Sequence, residues 1–182
     1  MTTRLLRLVA IGAGMLVPLL LGGCSLFGKD KTPPCPRVSI IGDTAQMLQF
    51  QPGPGRDASD VVWSVDMVDY DGTCSFSSKN TIATVSFVLR IAATRGPAAP
   101  AGDASLQVPY FVAVVDRQQN IISEETFNAK FTFASGRRRI AIGDELEQRI
   151  PLNGFNSTDY EVLVGLKLDA DQVEYNRKQR GF

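Results

Sequence analysis

Apolar and polar residues alternate with a period of two through most of the chain between Val61 and Leu168. Successive side chains of a strand point to opposite faces, so each such run has one apolar and one polar face. The apolar face must then be covered by a second layer. Ala83, Val85, Phe87, Leu89 and Ile91 share one face, with Thr84, Ser86 and Arg90 on the other. Phe127, Ala129, Phe131 and Phe133 alternate in the same way with Thr126, Asn128, Lys130 and Thr132. Val61, Trp63, Val65 and Met67 also alternate, but the phase changes near Val68 and Tyr70, which predicts a bulge. Asp71-Gly72 reads as the turn that closes this strand.

Val108 to Val115 is apolar on both faces and reads as a central strand. Ile140, Ile142, Leu146, Ile150 and Leu152 suggest one further strand, and Tyr160, Val162, Val164, Leu166 and Leu168 the last. Val38 to Ile41 is a short apolar run; Met47, Leu48 and Phe50 fit a strand or a single helical turn. Loops fall at 96–102, 116–120 and 153–158, and Ser135-Gly136 reads as a hairpin. About seven strands predict an all-β domain over 37–182, a two-sheet antiparallel β-sandwich of immunoglobulin-like architecture. The cysteine spacing does not match the immunoglobulin inter-sheet bridge, so only the architecture is expected. A closed β-barrel is the alternative. The period changes at Asp169, whose side chain can cap a short C-terminal helix with Gln172 three residues on. Arg177, Lys178 and Arg180 would lie near its C-terminus, where the helix dipole favours cations, and the helix is expected to close one end of the sandwich.

The N-terminal segment is built differently. Arg4 and Arg7 precede an uncharged, mostly apolar run from Leu8 to Leu21, followed by Gly22, Gly23 and Cys24. A charged start, a short apolar core and small residues at the exit make a secretory signal over 1–23. As a helix the run would measure about 21 Å, short of the roughly 30 Å a membrane span needs. Leu21-Gly22-Gly23-Cys24 resembles the lipobox of bacterial lipoproteins. The resemblance implies that Cys24 takes a diacylglycerol on its thiol and becomes the first residue of the mature chain. It further implies that Ser25, in place of the aspartate that retains such proteins in the inner membrane, sends the chain to the periplasmic side of the outer membrane. The inner membrane is the alternative, and a plain secretory signal with a chance cysteine is the bland reading. Residues 24–36 carry Gly28, Lys29, Asp30, Lys31 and three prolines, and read as a tether.

Cys35 and Cys74 then form an even pair in an oxidising compartment, and a disulfide between them is expected. It would join the start of the domain to the segment after the first long strand. Free redox thiols are the lesser alternative, because no Cys-x-x-Cys is present. The chain has 182 residues with 19 basic and 19 acidic side chains. Without Arg4 and Arg7 a slight acidic excess remains, which argues against nucleic-acid binding. The chain has no histidine, so the commonest general base and metal ligand is missing. No hydrolase signature or phosphate loop is visible, and neither an enzymatic activity nor a cofactor or metal is expected.

The segments Tyr110 to Asp116 and Tyr160 to Gly165, with Tyr175-Asn176-Arg177, are similar to those of small proteobacterial lipoproteins of unknown function. That resemblance carries no activity. Asp66, Asp69 and Asp71 near Gly72 suggest a calcium loop, but the twelfth position from Asp69 is Asn80 rather than glutamate, and solvated acids are the plainer reading. Arg137, Arg138 and Arg139, at the expected hairpin tip, could contact anionic lipid, lipopolysaccharide phosphate or a partner's carboxylates; alternatively they keep an exposed edge soluble. Seven phenylalanines in the strand region, with Trp63, could line a lipid cavity, although aromatics at period two more often form core. The expectation is a membrane-anchored structural or interaction module with an envelope protein as partner. A carrier or sensor of a lipid-like ligand is the alternative.

Overall fold

The computed structural model describes residues 32–181. Eight strands build two four-stranded sheets, with no closed barrel. They are β1 (Arg37–Ile40), β2 (Gln46–Phe50), β3 (Val61–Phe76), β4 (Ile82–Arg95), β5 (Ala104–Asp116), β6 (Ile121–Phe133), β7 (Arg139–Pro151) and β8 (Tyr160–Leu166). The first sheet has the order β1-β8-β5-β6 and the second β2-β3-β4-β7. All pairings are antiparallel except β1 with β8. The chain is thus a β-sandwich, with β5 inside the first sheet and β3 and β4 inside the second.

The alternating residues meet between the sheets. Val85, Phe87, Leu89 and Ile91 of β4 are buried in one cluster with Val108, Tyr110, Val112 and Val114 of β5 and Phe131 and Phe133 of β6. Tyr160, Val162, Val164 and Leu166 of β8 complete the layer from the first sheet. Trp63 packs at a tilt against Phe133 across the sheets, and the Arg95 guanidinium lies 5.6 Å from the centre of the Trp63 ring. One polar pair spans this interior: the Tyr110 hydroxyl of β5 donates to Asp144 of β7 at 2.5 Å. Burial first, and the adjacent carboxylate second, push the Tyr110 phenol well above the usual range, so it remains a donor.

The bulge falls where the phase change places it. The pairing of β3 with β4 slips between Met67 and Asp69, leaving Val68 as the extra, half-exposed residue. Asp71-Gly72 does not close the strand, however; β3 runs on to Phe76. Gly72 sits opposite Phe87, and a Cβ added there would lie 2.5 Å from the Phe87 Cβ. The glycine therefore permits close strand approach rather than a turn. Ser135-Gly136 is also no hairpin, because β6 and β7 belong to different sheets. It is a crossover, and it lets the apolar faces of β6 and β7 meet across the core.

The helix α1 (Ala170–Gln179) starts at Asp169, which exchanges both capping-box hydrogen bonds with Gln172. It does not close an end of the sandwich. It lies along an edge, against β2 and the 3-10 turn Gly42–Thr44. The reason is its buried Asn176, whose amide donates to the carbonyls of Asp43 and Gln46 at 2.9 and 2.7 Å. Arg177 and Arg180 both reach the Asp43 carboxylate, and Tyr175 meets Phe50 edge-on.

Cys35 and Cys74 are joined, with Cα atoms 5.7 Å apart. Cys74 lies inside β3, opposite Val85, not after it. The bond therefore ties the segment entering the first sheet to an inner strand of the second. Closing a loop across 39 residues constrains the unfolded chain by about 3–4 kcal/mol in the chain-entropy model. The paired substitution Cys35→Ser with Cys74→Ser should lower unfolding stability by about that amount in urea titrations, with the far-ultraviolet spectrum of the native state unchanged.

Candidate functional site

The strand directions sort the loops into two ends. β8 begins at Tyr160 beside Asp116, and β1 runs parallel to it with Arg37 beside Glu161. The chain therefore enters the sandwich at the same end as the turn 117–120, the loop 152–159 and the β3–β4 turn 77–81. Leu152 N–H donates to the Thr81 carbonyl, and Arg117 lies 4.0 Å from Asp159, holding these loops together. The expected tether is already held here: the Ser157 hydroxyl donates to the Pro34 carbonyl at 2.6 Å, and Pro36 is buried. Ser157 opens a 3-10 turn (Ser157–Asp159) fixed by reciprocal bonds between Asn156 and Asp159. The Asp116 carboxylate in the neighbouring turn is lowered below its usual range, chiefly by hydrogen bonds from the Asn120 side chain and backbone.

The opposite end carries the loop 96–103, the crossover 134–138 and the start of β7. Arg95 organises it, donating to the carbonyls of Pro100 and Gly102, both at 2.6 Å. Arg137, Arg138 and Arg139 are all exposed here. Arg137 and Arg138 stand on the crossover and Arg139 opens β7, so the three do not form one strand face. None has an ion pair among the described residues. Along the 13 residues of β7, at about 3.3 Å each, they lie roughly 40 Å from the end where the chain enters.

The remaining expected sites resolve separately. Cys24 lies outside the described residues. Asp66 accepts from the Gln46 side chain and Asp69 pairs with Arg90, on a strand rather than in a loop. Among the described residues no group of three His, Cys, Asp or Glu is placed to hold a metal. Phe87, Phe131 and Phe133 are packed core. A cleft of about 540 Å³ opens between β2 and α1, lined by Leu48, Phe50, Arg56, Asp169, Tyr175 and Lys178. A second, shallow trough is bordered by Asp71, Thr73, Ser86, Val88, Glu145 and Glu147, the outward residues of the second sheet. Both open to solvent, not between the sheets. Among the described residues no helix is long and apolar enough to cross a membrane. No protein-family model matches the chain, and neither does any curated protein or solved structure.

Period-two reasoning did not find Asn176, because a polar residue on a short helix looks solvent-facing until its carbonyl partners are known. It also missed Phe155, which stands 57% exposed on the 152–159 loop. Asn176→Ala should leave the Asp43 and Gln46 carbonyls unpaired and cost about 1–3 kcal/mol. Hydrogen exchange should show α1 losing protection ahead of β3 and β4.

Proposed function

We propose that this chain is a lipid-anchored envelope protein, held through Cys24 at the periplasmic face of the outer membrane, where it serves as a non-catalytic structural or interaction module. The observation that carries this reading is Leu21-Gly22-Gly23-Cys24 following a basic start and a short apolar run. Two acyl chains hold a protein on a bilayer where one does not, which suits a stable anchor at that cysteine. The Cys35–Cys74 disulfide supports export, since such bonds persist in oxidising compartments. The packed phenylalanines and the outward-opening clefts favour an interaction module over a carrier of lipid-like ligands.

On this reading the working surface is the end away from the anchor, and Arg137, Arg138 and Arg139 are its principal unpaired charge. Guanidinium groups match carboxylate and phosphate oxygens, so an envelope protein presenting acidic groups is the expected partner. Cys24→Ala should abolish labelling by a palmitate analogue and move the protein from membrane to soluble fraction, or leave its leader uncut. Label on the Cys24→Ala protein would overturn the anchor. Replacing Arg137, Arg138 and Arg139 together by Ser should leave the melting temperature unchanged and deplete the crosslinked partner in cells. Undiminished crosslinking would remove the arginines from the interface.

A further inference from the structure

Among the described residues five large hydrophobic side chains are markedly exposed: Val68, Tyr70, Ile121, Ile122 and Phe155. Two of the five have local reasons. Val68 is the bulge residue of β3, and the Tyr70 hydroxyl donates to the Val38 carbonyl at the edge of the first sheet. The other three lie at the end where the chain enters. Ile121 and Ile122 open β6 just after the 117–120 turn, where the pairing with β5 slips and Ile121 faces Val115. Phe155 follows Asn153 and Gly154, both with positive φ, so the backbone turns sharply and presents the ring outward. Single exposed apolar residues are ordinary, but three at one end of the sandwich, two opening β6 and one on a loop, need a reason.

The chain's own length supplies one. Pro34 is pinned to this end by Ser157. It stands ten positions after Cys24, a stretch that cannot reach further than about 35 Å. If Cys24 carries the lipid, this end is kept within that distance of the bilayer, and of the two ends it is the one that can reach the lipid most readily. Its charges are of both signs, with Arg117 4.0 Å from Asp159 and acting on the Asp116 carboxylate, and Arg37 opposite Glu161, so electrostatic attraction to anionic headgroups would be weak. Apolar contact remains. A phenylalanine on a mobile protein partitions weakly, but one confined close to the surface does so at high effective concentration.

We propose that this end of the sandwich rests on the lipid surface that anchors the chain, with the Phe155 ring inserted among the headgroups and Ile121 and Ile122 beside it. The proposal rests on the lipid-anchor reading above. It sets the long axis of the domain away from the membrane. Glu124 and Glu125, further along β6, limit how deeply the edge can sink.

Tryptophan quenching by brominated lipid tests it on the full, acylated chain in phosphatidylcholine vesicles. Trp63 is the single tryptophan, buried and at the far end, and so provides a quiet background. Phe155→Trp adds an indole at the membrane end, and Arg138→Trp adds one at the opposite end; both positions are exposed and tolerate the change. Emission from the residue-155 indole should fall about twofold in brominated relative to ordinary vesicles, as expected for a ring at the headgroup–acyl boundary. The Arg138→Trp and unmodified chains should not change. An unquenched Phe155→Trp chain that still floats with vesicles, and carries acyl mass on Cys24, overturns the proposal while leaving the anchor intact. Quenching of the Arg138→Trp chain overturns it too, since the domain then lies flat or inverted. A chain without acyl mass on Cys24 overturns the anchor reading, and this inference falls with it.

Discussion

Two sheets, each with an apolar face turned inward, must share one core, and the rest of the molecule is arranged around that constraint. Leu89, Phe87 and Val85 cannot be dry unless Val108, Tyr110 and Val112 lie opposite them. Long strands follow, because a wide, thin layer needs length to exclude water. β3, β4, β5, β6 and β7 each have at least 13 residues, well above the usual strand length of about five or six. The connections are thereby driven to two ends far apart. Those ends share no residues, and their chemistry can differ. The polar pair Tyr110 with Asp144 links β5 to β7 and so helps to fix how the sheets face each other.

The polarity of the molecule comes from the residues that lead into β1. β1 is only four residues long and pairs in parallel with β8, a weak attachment by itself. It is reinforced from three sides. The disulfide holds Cys35 to β3, the Ser157 hydroxyl holds Pro34, and the Tyr70 hydroxyl bonds the Val38 carbonyl. The chain therefore enters at one fixed end, beside the 152–159 loop. A tension applied through the N-terminal segment would be carried into both sheets by the covalent link rather than by peeling β1 away.

The sequence reading succeeded where a single local period decides the structure. Alternation located the long strands, the loss of phase located Val68, and the Asp169–Gln172 spacing located the helix cap. It failed where the answer depends on what lies opposite. Gly72 has the local signature of a turn, and only its partner Phe87 turns it into a close strand contact. Ser135-Gly136 has the signature of a hairpin, but the same residues serve a crossover when both flanking strands have their best partners elsewhere, β6 with β5 and β7 with β4. The even cysteine count was legible without geometry. The position of Cys74 within β3 was not, because it followed from the misread turn. Of the candidate site, the identities of Arg137, Arg138 and Arg139 were legible, but their distance from the point of entry was a property of topology alone.

That distance bears on how a small domain of this kind can act. The point where the chain enters the sandwich and the three arginines lie at opposite ends of a body about 40 Å long. In the second sheet β4 is paired with β3 on one side and β7 on the other along nearly its whole length, so the spacing is set by backbone hydrogen bonds rather than by a loop. If the entry end rests on lipid as proposed, charge at the far end is presented at the height of the domain and not merely somewhere near the membrane. Screening over a Debye length of about 8 Å at physiological salt would isolate that charge from the bilayer's own potential. Arginines placed near the anchor would instead be occupied by lipid phosphate. Placed where the topology puts them, they are free to meet carboxylates or phosphates carried by something else.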